Sequence, residues 1–467
     1  MSARRWSCLI LAIALAGAGC GRREPPRALP LFHAGDYSAA FTEQKRRVQG
    51  EGPERDQPLE LMRLGMCAFE AGDPDAAIFL RKAVDAFADF SRSTGETVAG
   101  STFGSEASAY FRGHPYERML VLAYYGLAEY AKPGRAAVFD AMAGFNHAIR
   151  EDYAGEIREA YEKTPEGREQ LAKDPDFFKC DSAFAHFMVG MCHLRVGESD
   201  LAKAAFADAR KQAAKLTARG YPAVADEFFD AERLAACNLL VITALGRAPV
   251  KYRVGQYGEF CRIRPGDTVV EARARVSAGG VTLDPPVPLE DVFHQASTRG
   301  GRAMDAINRG KAVFKAGTGE AAVGLTYVGL AVMSSRDRDT QAAGAVIAGV
   351  GLLAGALSAL SKPDADVRCL ELLPATLQVL PARLPPGRQD VVIEFIDRSG
   401  AVIPGQTVVL RDLEVPAEGN RLVYVRSGPH RAPTPPPPIP PIPPVPPAQE
   451  SLPGLTSDPQ LQPKDTP

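Results

Sequence analysis

The side chains whose types and spacing could form a catalytic or metal site are few. His186 and His193 are seven residues apart in a helical pattern, which places them on one face of a helix, with Cys192 beside His193. A metal site would need a third ligand, and a nucleophile would need an orienting acid at a useful spacing. Neither follows from the spacing, and His193 falls where a helical repeat places a packing residue. A core histidine is therefore the favoured interpretation.

A second charged group lies in the C-terminal half. Asp364 and Asp366, with Arg368, could supply an acid pair, but the turn after Pro363 explains these residues equally well. The sequence contains neither a Gly-rich phosphate loop nor a GxSxG motif. We therefore expect no enzyme, no cofactor and no metal, and no small-molecule substrate is evident.

The N-terminus carries a targeting signal. Arg4 and Arg5 precede an apolar run over residues 9–15, and four small residues then lead to Cys20. A positive start, a short apolar stretch and small residues before the cut are typical of a secretory signal peptide. The segment resembles the bacterial lipobox, in which the cysteine after the cut is acylated. The alternative is an ordinary secretory signal with a coincidental cysteine.

The resemblance to a lipobox implies a location. Lipidation of Cys20 with several acyl chains would anchor the chain stably, since a single chain binds only marginally. Gly21 stands where enteric lipoproteins retained in the inner membrane have Asp, so we expect an outer-membrane anchor that faces the periplasm. Export to an oxidising compartment also permits disulfides. Their pairing stays open, because the six remaining cysteines are irregularly spaced: Cys67, Cys180, Cys192, Cys237, Cys261 and Cys369.

Length and charge limit the class of protein. The 467 residues exceed the size at which one hydrophobic core stops growing, so two or more domains are expected. A formal net charge of -2 gives no attraction to nucleic acid or to an anionic membrane surface. We therefore expect no nucleic-acid partner, and membrane attachment only through the lipid.

One short pattern recurs four times in the first half, at residues 34–40, 71–77, 131–137 and 196–202. Each copy ends one helical pattern and begins another, which is typical of the turn in a tetratricopeptide-like helical hairpin. The irregular spacing of the copies indicates a degenerate array with insertions.

The small and large packing residues of such a hairpin fit the last copy best, through Gly190 and Phe206. Gly126 and Phe145 fit with a slipped register, and the second copy has Arg81 where an aromatic residue is usual. A final helix over 223–245 is expected to cap the array.

The pattern of residues in the second half of the sequence predicts strands. Apolar and polar residues alternate over 251–262 and 268–276, and a helix is expected over 289–314. Four more strand-like runs are separated by turn residues, which predicts a meander of antiparallel strands, completed as a small sandwich by the earlier pair. These runs are 375–382, 390–397, 406–413 and 421–425.

A Gly/Ala-rich segment interrupts these strands at residues 321–335 and 341–360. Gly351, Gly355 and Ala359 form a small-residue face at four-residue spacing. Such a face suits a helix in a bilayer or a buried helical hairpin, and the hairpin is favoured because Ala-rich stretches are weakly hydrophobic. The bilayer alternative would make the chain part of a pore or secretion complex.

The predicted fold class is α+β, in which a tetratricopeptide-like α-helical array precedes a mixed domain with antiparallel strands and the helical hairpin. The boundaries are 1–19 for the signal peptide, 20–30 for the linker from Cys20, 31–248 for the helical domain, 249–427 for the C-terminal domain and 428–467 for a Pro-rich tail.

Two motifs carry a family resemblance. The first has Tyr116-Glu117 leading into a Tyr-rich helix, and the second has Ala365-Asp366-Val367-Arg368 before Leu-Pro. In these motifs the chain resembles an uncharacterised family of bacterial envelope lipoproteins with tetratricopeptide-like N-terminal helices. That resemblance implies an envelope-assembly context and supplies no catalytic residues.

We therefore expect a membrane-anchored scaffold whose stacked helices bind envelope proteins. A pore or secretion component that uses the Gly/Ala-rich hairpin is the alternative, and a cell-wall enzyme is the third possibility. The sequence does not identify the partner or the oligomeric state.

Overall fold

A computed structural model describes residues 26–50, 54–92, 111, 113–150, 168–169, 172, 182–256, 258, 260–266, 271–298 and 365–429. The predicted signal peptide, Cys20, Cys180, Asp364, the Gly/Ala-rich hairpin and nearly all of the Pro-rich tail lie outside these residues.

Within the described residues the first half of the chain is helical. The α-helices are α1 (Ala28–His33), α2 (Tyr37–Gln49), α3 (Gln57–Glu70), α4 (Ala76–Arg92), α5 (Pro115–Tyr130), α6 (Arg135–Arg150), α7 (Ala183–Val196), α8 (Ser199–Thr217), α9 (Ala231–Ala236) and α10 (Val292–Thr298). The first eight form four helix–turn–helix pairs, and each predicted turn joins two of them. The second helix of each pair also packs on the first helix of the next, so the pairs form one continuous layer.

Local chemistry explains where these helices begin and end. The Asp36 carboxylate accepts from the Ala39 N–H at 3.1 Å, and Ser182 caps α7 by accepting from the Ala185 N–H at 3.0 Å. Gly197 ends α7 with φ of 85°, a backbone conformation that glycine adopts without steric cost. The turn residues in the repeated pattern therefore act as helix start and stop signals.

Three of the four helix pairs share one close contact, in which a glycine of the first helix lies under a large side chain of the second. A Cβ added at these glycines would lie 2.8 Å or less from the facing side chain, so only glycine fits. The contacts are Gly65 with Leu80, Gly126 with Phe145 and Gly190 with Phe206.

One of these contacts corrects the sequence analysis, which placed the packing position of the second pair at Arg81. Leu80, one residue earlier, is fully buried and makes the contact. Arg81 points outward and pairs with Asp85 at 3.0 Å between Nε and Oδ1. The error is one of register, because the position of a helix face cannot be fixed without the length of the preceding turn.

In the part of the chain that the structure describes, the strands form two four-stranded sheets and a hairpin. They are β1 (Leu239–Leu245), β2 (Val250–Val254), β3 (Phe260–Arg264), β4 (Glu271–Ala278), β5 (Val281–Thr282), β6 (Val287–Asp291), β7 (Thr376–Ala382), β8 (Gly387–Asp397), β9 (Val402–Val415) and β10 (Arg421–Arg426). Sheet I has the order β10-β1-β7-β6, and sheet II has the order β5-β4-β8-β9. Strands β2 and β3 pair with each other. The β1–β10 pair is parallel, and the other pairs are antiparallel.

Sheet I is the middle layer of three. Leu240 and Ile242 of β1 belong to the core shared with the helices, whereas Leu239 and Val241 belong to the core shared with sheet II. All seven residues of β1 are buried because both of its faces are covered. The prediction of an α+β class is confirmed at this level, with helices on one side and mixed and antiparallel sheets on the other.

Two predictions for this region are wrong. The expected helix over 223–245 contains α9 and then β1, because a strand buried on both faces shows a continuous apolar run without alternation. The expected meander is also wrong, because β10 pairs in parallel with β1 and β7 lies in sheet I. The predicted helix over 289–314 begins inside β6, continues as α10 and then leaves the described residues.

Candidate functional site

The inner helices α3, α5 and α7 are covered on both sides. In α5, 14 of the 16 residues are buried, against 6 of the 16 in its outer partner α6. The outer helices cover one side of α5, and sheet I with the segment before β7 covers the other. The inner face of a stacked helical array commonly holds a partner peptide. Here the chain's own sheet fills that face.

A buried polar group joins these layers, and we call Glu70, Arg426, Tyr424 and Tyr124 the interlayer network. Arg426 Nη1 lies 3.0 Å from Glu70 Oε1, and Tyr424 Oη donates to the same oxygen at 2.7 Å. The Tyr124 and Tyr424 hydroxyls are 3.0 Å apart. The Arg426 and Glu70 side chains are 4% and 3% exposed. Burial raises the pKa of Glu70, although Arg426 and Tyr424 act in the opposite direction.

Residues of the two motifs that carry the family resemblance join the helices to the segment before β7. Glu117 accepts from the backbone N–H of Leu370 at 2.6 Å and from that of His114 at 2.6 Å, which also caps α5. Arg368 binds Asp366 and reaches Asp56 at 2.7 Å. The Arg368 guanidinium thus bridges two carboxylates and ties the segment before β7 to the helices.

The histidine and cysteine group of α7 lies partly buried beside the following turn. His193 Nδ1 lies 2.7 Å from Glu198 Oε2 in the following turn, an acid that the sequence spacing did not reveal. Cys192 is fully buried, and burial raises the pKa of its thiol to about 12, which is the opposite of what a nucleophile needs. His186 is half-buried on the same helix.

The thiols of the described residues also bear on the open question of disulfides. Cys67, Cys192, Cys237 and Cys369 are buried and free. These four therefore form no disulfide, in keeping with their apolar surroundings. Nowhere in the described ranges do three or more His, Cys, Asp or Glu side chains gather as metal ligands would. No helix of those ranges is both long and apolar enough to cross a bilayer.

The outer helices α4, α6 and α8 expose apolar side chains. Ile78, Phe139 and Leu201 are 52%, 43% and 53% exposed, and each lies within the first five residues of its helix. Large apolar side chains on one type of element, next to the turns, are candidates for contact with another protein. We call these three residues the outer apolar set.

A cleft of about 160 Å³ lies where the first helix pair meets both sheets. We call it the terminal cleft, because Phe32 of α1 and Pro429 near the end of the described chain both line it. Its polar wall includes His33, Tyr37, Arg247, Glu271, Gln406 and Arg426. These residues come from α1, α2, the turn after β1, β4, β9 and β10, and sequence reasoning identified none of them.

Part of the wall of the terminal cleft is held by internal hydrogen bonds. Gln406 Nε2 donates to Glu271 Oε1 at 2.9 Å, and Gln406 Oε1 accepts from the Gly428 N–H at 3.1 Å. Ser427 Oγ accepts from the Gly246 N–H at 2.8 Å. These bonds fix the strand ends around the cleft before any ligand enters.

No protein-family model, no characterised protein and no solved structure matches the chain. We therefore infer the function from the fold and from the geometry of its surfaces.

Proposed function

We propose that the chain is a lipid-anchored scaffold of the bacterial envelope, in which the outer helices of a tetratricopeptide-like array bind a partner protein. The anchor is lipidated Cys20, and the expected context is assembly of the envelope or of a secretion system. The repeated glycine contact supports the array, because each first helix approaches its partner as closely as a glycine allows.

The observation that carries this proposal is the outer apolar set. The inner face is filled by sheet I, so the partner cannot bind there without displacing the interlayer network. The outer helices instead present Ile78, Phe139 and Leu201, each about half exposed. A partner that covers such side chains gains about 25 cal/mol for each Å² of apolar surface removed from water.

A short linker joins the proposed anchor to the first helix of the array. Seven residues lie between Cys20 and Ala28, where α1 begins, so eight Cα-to-Cα steps join the two. Fully extended, they span at most about 28 Å. The partner is therefore expected to be a membrane protein or another anchored protein.

The test is site-specific cross-linking in intact cells. A photoreactive residue is placed in the full chain at Ile78, Phe139 or Leu201, and the matched controls carry it at Val281 or Val409. The control side chains are 65% and 45% exposed but lie on sheet II. We expect the three helix positions to capture one common protein that the sheet positions do not capture.

Two outcomes would contradict the proposal. One is that the helix positions yield nothing beyond the sheet positions. The other is that the captured protein is the same when Cys20→Ser releases the chain from the membrane, which would remove the role given to the anchor.

A further inference from the structure

The terminal cleft contains polar groups that the rest of the fold leaves unused. Arg247 makes no ion pair or hydrogen bond with any part of the chain that the structure describes. Within the same ranges, the His33 imidazole and the Tyr37 hydroxyl make no hydrogen bond. Arg426, by contrast, is already bonded to Glu70 and to the Leu373 carbonyl. Three unused groups, one cationic and two neutral, therefore face one cavity.

The opposite charge is also present in the cleft. Glu271 accepts a hydrogen bond from the Gln406 amide, and among the described residues no cation pairs with it. Arg247 and Glu271 line the same cavity without forming an ion pair with each other. A ligand that satisfied both would carry a negative and a positive group.

We propose that the terminal cleft binds a small zwitterion, with its oxyanion on Arg247, His33 and Tyr37 and its ammonium group at Glu271. The guanidinium supplies charge and a fork of donors, and the imidazole and hydroxyl donate to the remaining oxygen lone pairs. Two sources share this chemistry, a free α-amino acid and the headgroup of an ethanolamine phospholipid.

The size of the cavity agrees with such a ligand. An engineered protein cavity of about 150 Å³ holds one benzene molecule, so about 160 Å³ has room for roughly six heavy atoms. Alanine has that number, and a headgroup can extend through the open side of the cleft.

The electrostatics of His33 support the assignment of the oxyanion. Burial, followed by the charges of Arg247 and Arg426, lowers the pKa of His33 to about 4, so the ring is neutral at pH 7. The other titratable groups lining the cleft are Tyr37 from α2 and Glu271 from β4. A bound oxyanion would partly offset the two guanidinium charges and raise the titration midpoint of His33 by about one to three pH units.

The experiment titrates the full chain in detergent micelles with L-alanine, acetate and methylammonium. Binding is followed by calorimetry and by the imidazole NMR signals, of which the chain has seven sets. His33→Gln identifies the signal of His33. A second arm places the chain in nanodiscs of phosphatidylethanolamine or of phosphatidylglycerol.

We expect L-alanine or the phosphatidylethanolamine nanodisc to raise the midpoint of His33, and whichever probe does so names the source. Arg247→Gln should lower the affinity for that probe about tenfold or more. Glu271→Gln should lower the affinity for the same probe but leave the affinity for acetate unchanged. The exposed variants Arg388→Gln and Glu418→Gln serve as matched controls and should bind as the unmodified chain does.

The proposal is overturned if neither L-alanine nor phosphatidylethanolamine moves the His33 signal. It is also overturned if Glu271→Gln leaves the affinity for the zwitterion unchanged while Arg247→Gln lowers it, because the cleft would then be an anion site. None of these outcomes depends on the partner that the outer helices bind.

Discussion

Removal of Arg426 gives the most demanding test of the layered fold. Arg426→Met leaves Glu70 without a cation at a position where its side chain is 3% exposed. Removing one partner of a buried ion pair costs about 3–5 kcal/mol of the free energy of unfolding. Tyr424 can still donate to Glu70, so we expect the lower end of this range near pH 8.

The pH dependence of the free energy of unfolding should differ between variants of Arg426 and variants of Glu70. Burial already raises the pKa of Glu70, and loss of Arg426 would raise it further. When folding raises the pKa of a carboxyl group, the protein loses stability as the pH rises through that pKa. The penalty of Arg426→Met should therefore shrink as the pH falls from 8 toward about 4.3, the usual glutamate pKa.

Glu70→Gln should behave differently. It leaves Arg426 buried and unpaired, and a guanidinium with a pKa above about 12 cannot discharge in this range. Its cost of about 3–5 kcal/mol should therefore not shrink as the pH falls from 8 to 5, and it should grow because the unmodified chain, with the raised pKa of Glu70, gains stability on acidification. The double variant should cost less than the sum of the two single variants, because no unpaired charge remains.

The assay is urea denaturation followed by circular dichroism at both pH values. The exposed variant Arg388→Met is the control, and its free energy of unfolding should change by about 0.5 kcal/mol or less. The reasoning is refuted if Arg426→Met and Glu70→Gln show the same pH dependence. It is also refuted if their costs are additive in the double variant.

Three further predictions concern a contact between two helices, the terminal cleft and the lipid anchor. Gly190→Ala would place a Cβ 2.4 Å from the Phe206 ring and should lower the free energy of unfolding by about 1–3 kcal/mol, and Phe206→Leu in the same chain should restore part of that loss in thermal denaturation. The depressed pKa of His33, about 4 against 6.5 when unfolded, contributes stability that is complete above pH 6.5 and is lost as the pH falls to 4. We expect His33→Gln to flatten the fall of the melting temperature over that interval, and an unchanged slope would contradict the assignment. Cys20→Ser should abolish incorporation of labelled palmitate and release the chain from the membrane fraction, and continued labelling would show that Cys20 is not the lipidated residue.

The helices were largely predictable because their signals are local. A cap such as Asp36, a stop such as Gly197 and a period of 3.6 residues all act within a few positions of the chain. The close contact of Gly190 with Phe206 was predictable for the same reason, since a hairpin joins the two residues. Where the turn length was ambiguous, the register slipped by one residue, from Leu80 to Arg81.

The sheets were less predictable because their pairing is not local. Strand β1 shows no alternation, since helices cover one face and sheet II the other, and a continuous apolar run suits a helix equally well. Its parallel partner β10 begins at Arg421, far along the chain, and no turn signal connects the two.

The sequence by itself determined the helix pairs, the contact of Gly190 with Phe206 and most strand positions, and it predicts the anchor at Cys20. Only the tertiary structure decided what covers the inner helices and which polar groups meet. Glu70 and Arg426 are 356 positions apart, and the wall of the terminal cleft comes from six separate elements. Pairings at such separations depend on the packing of whole layers, and local patterns carry no information about them.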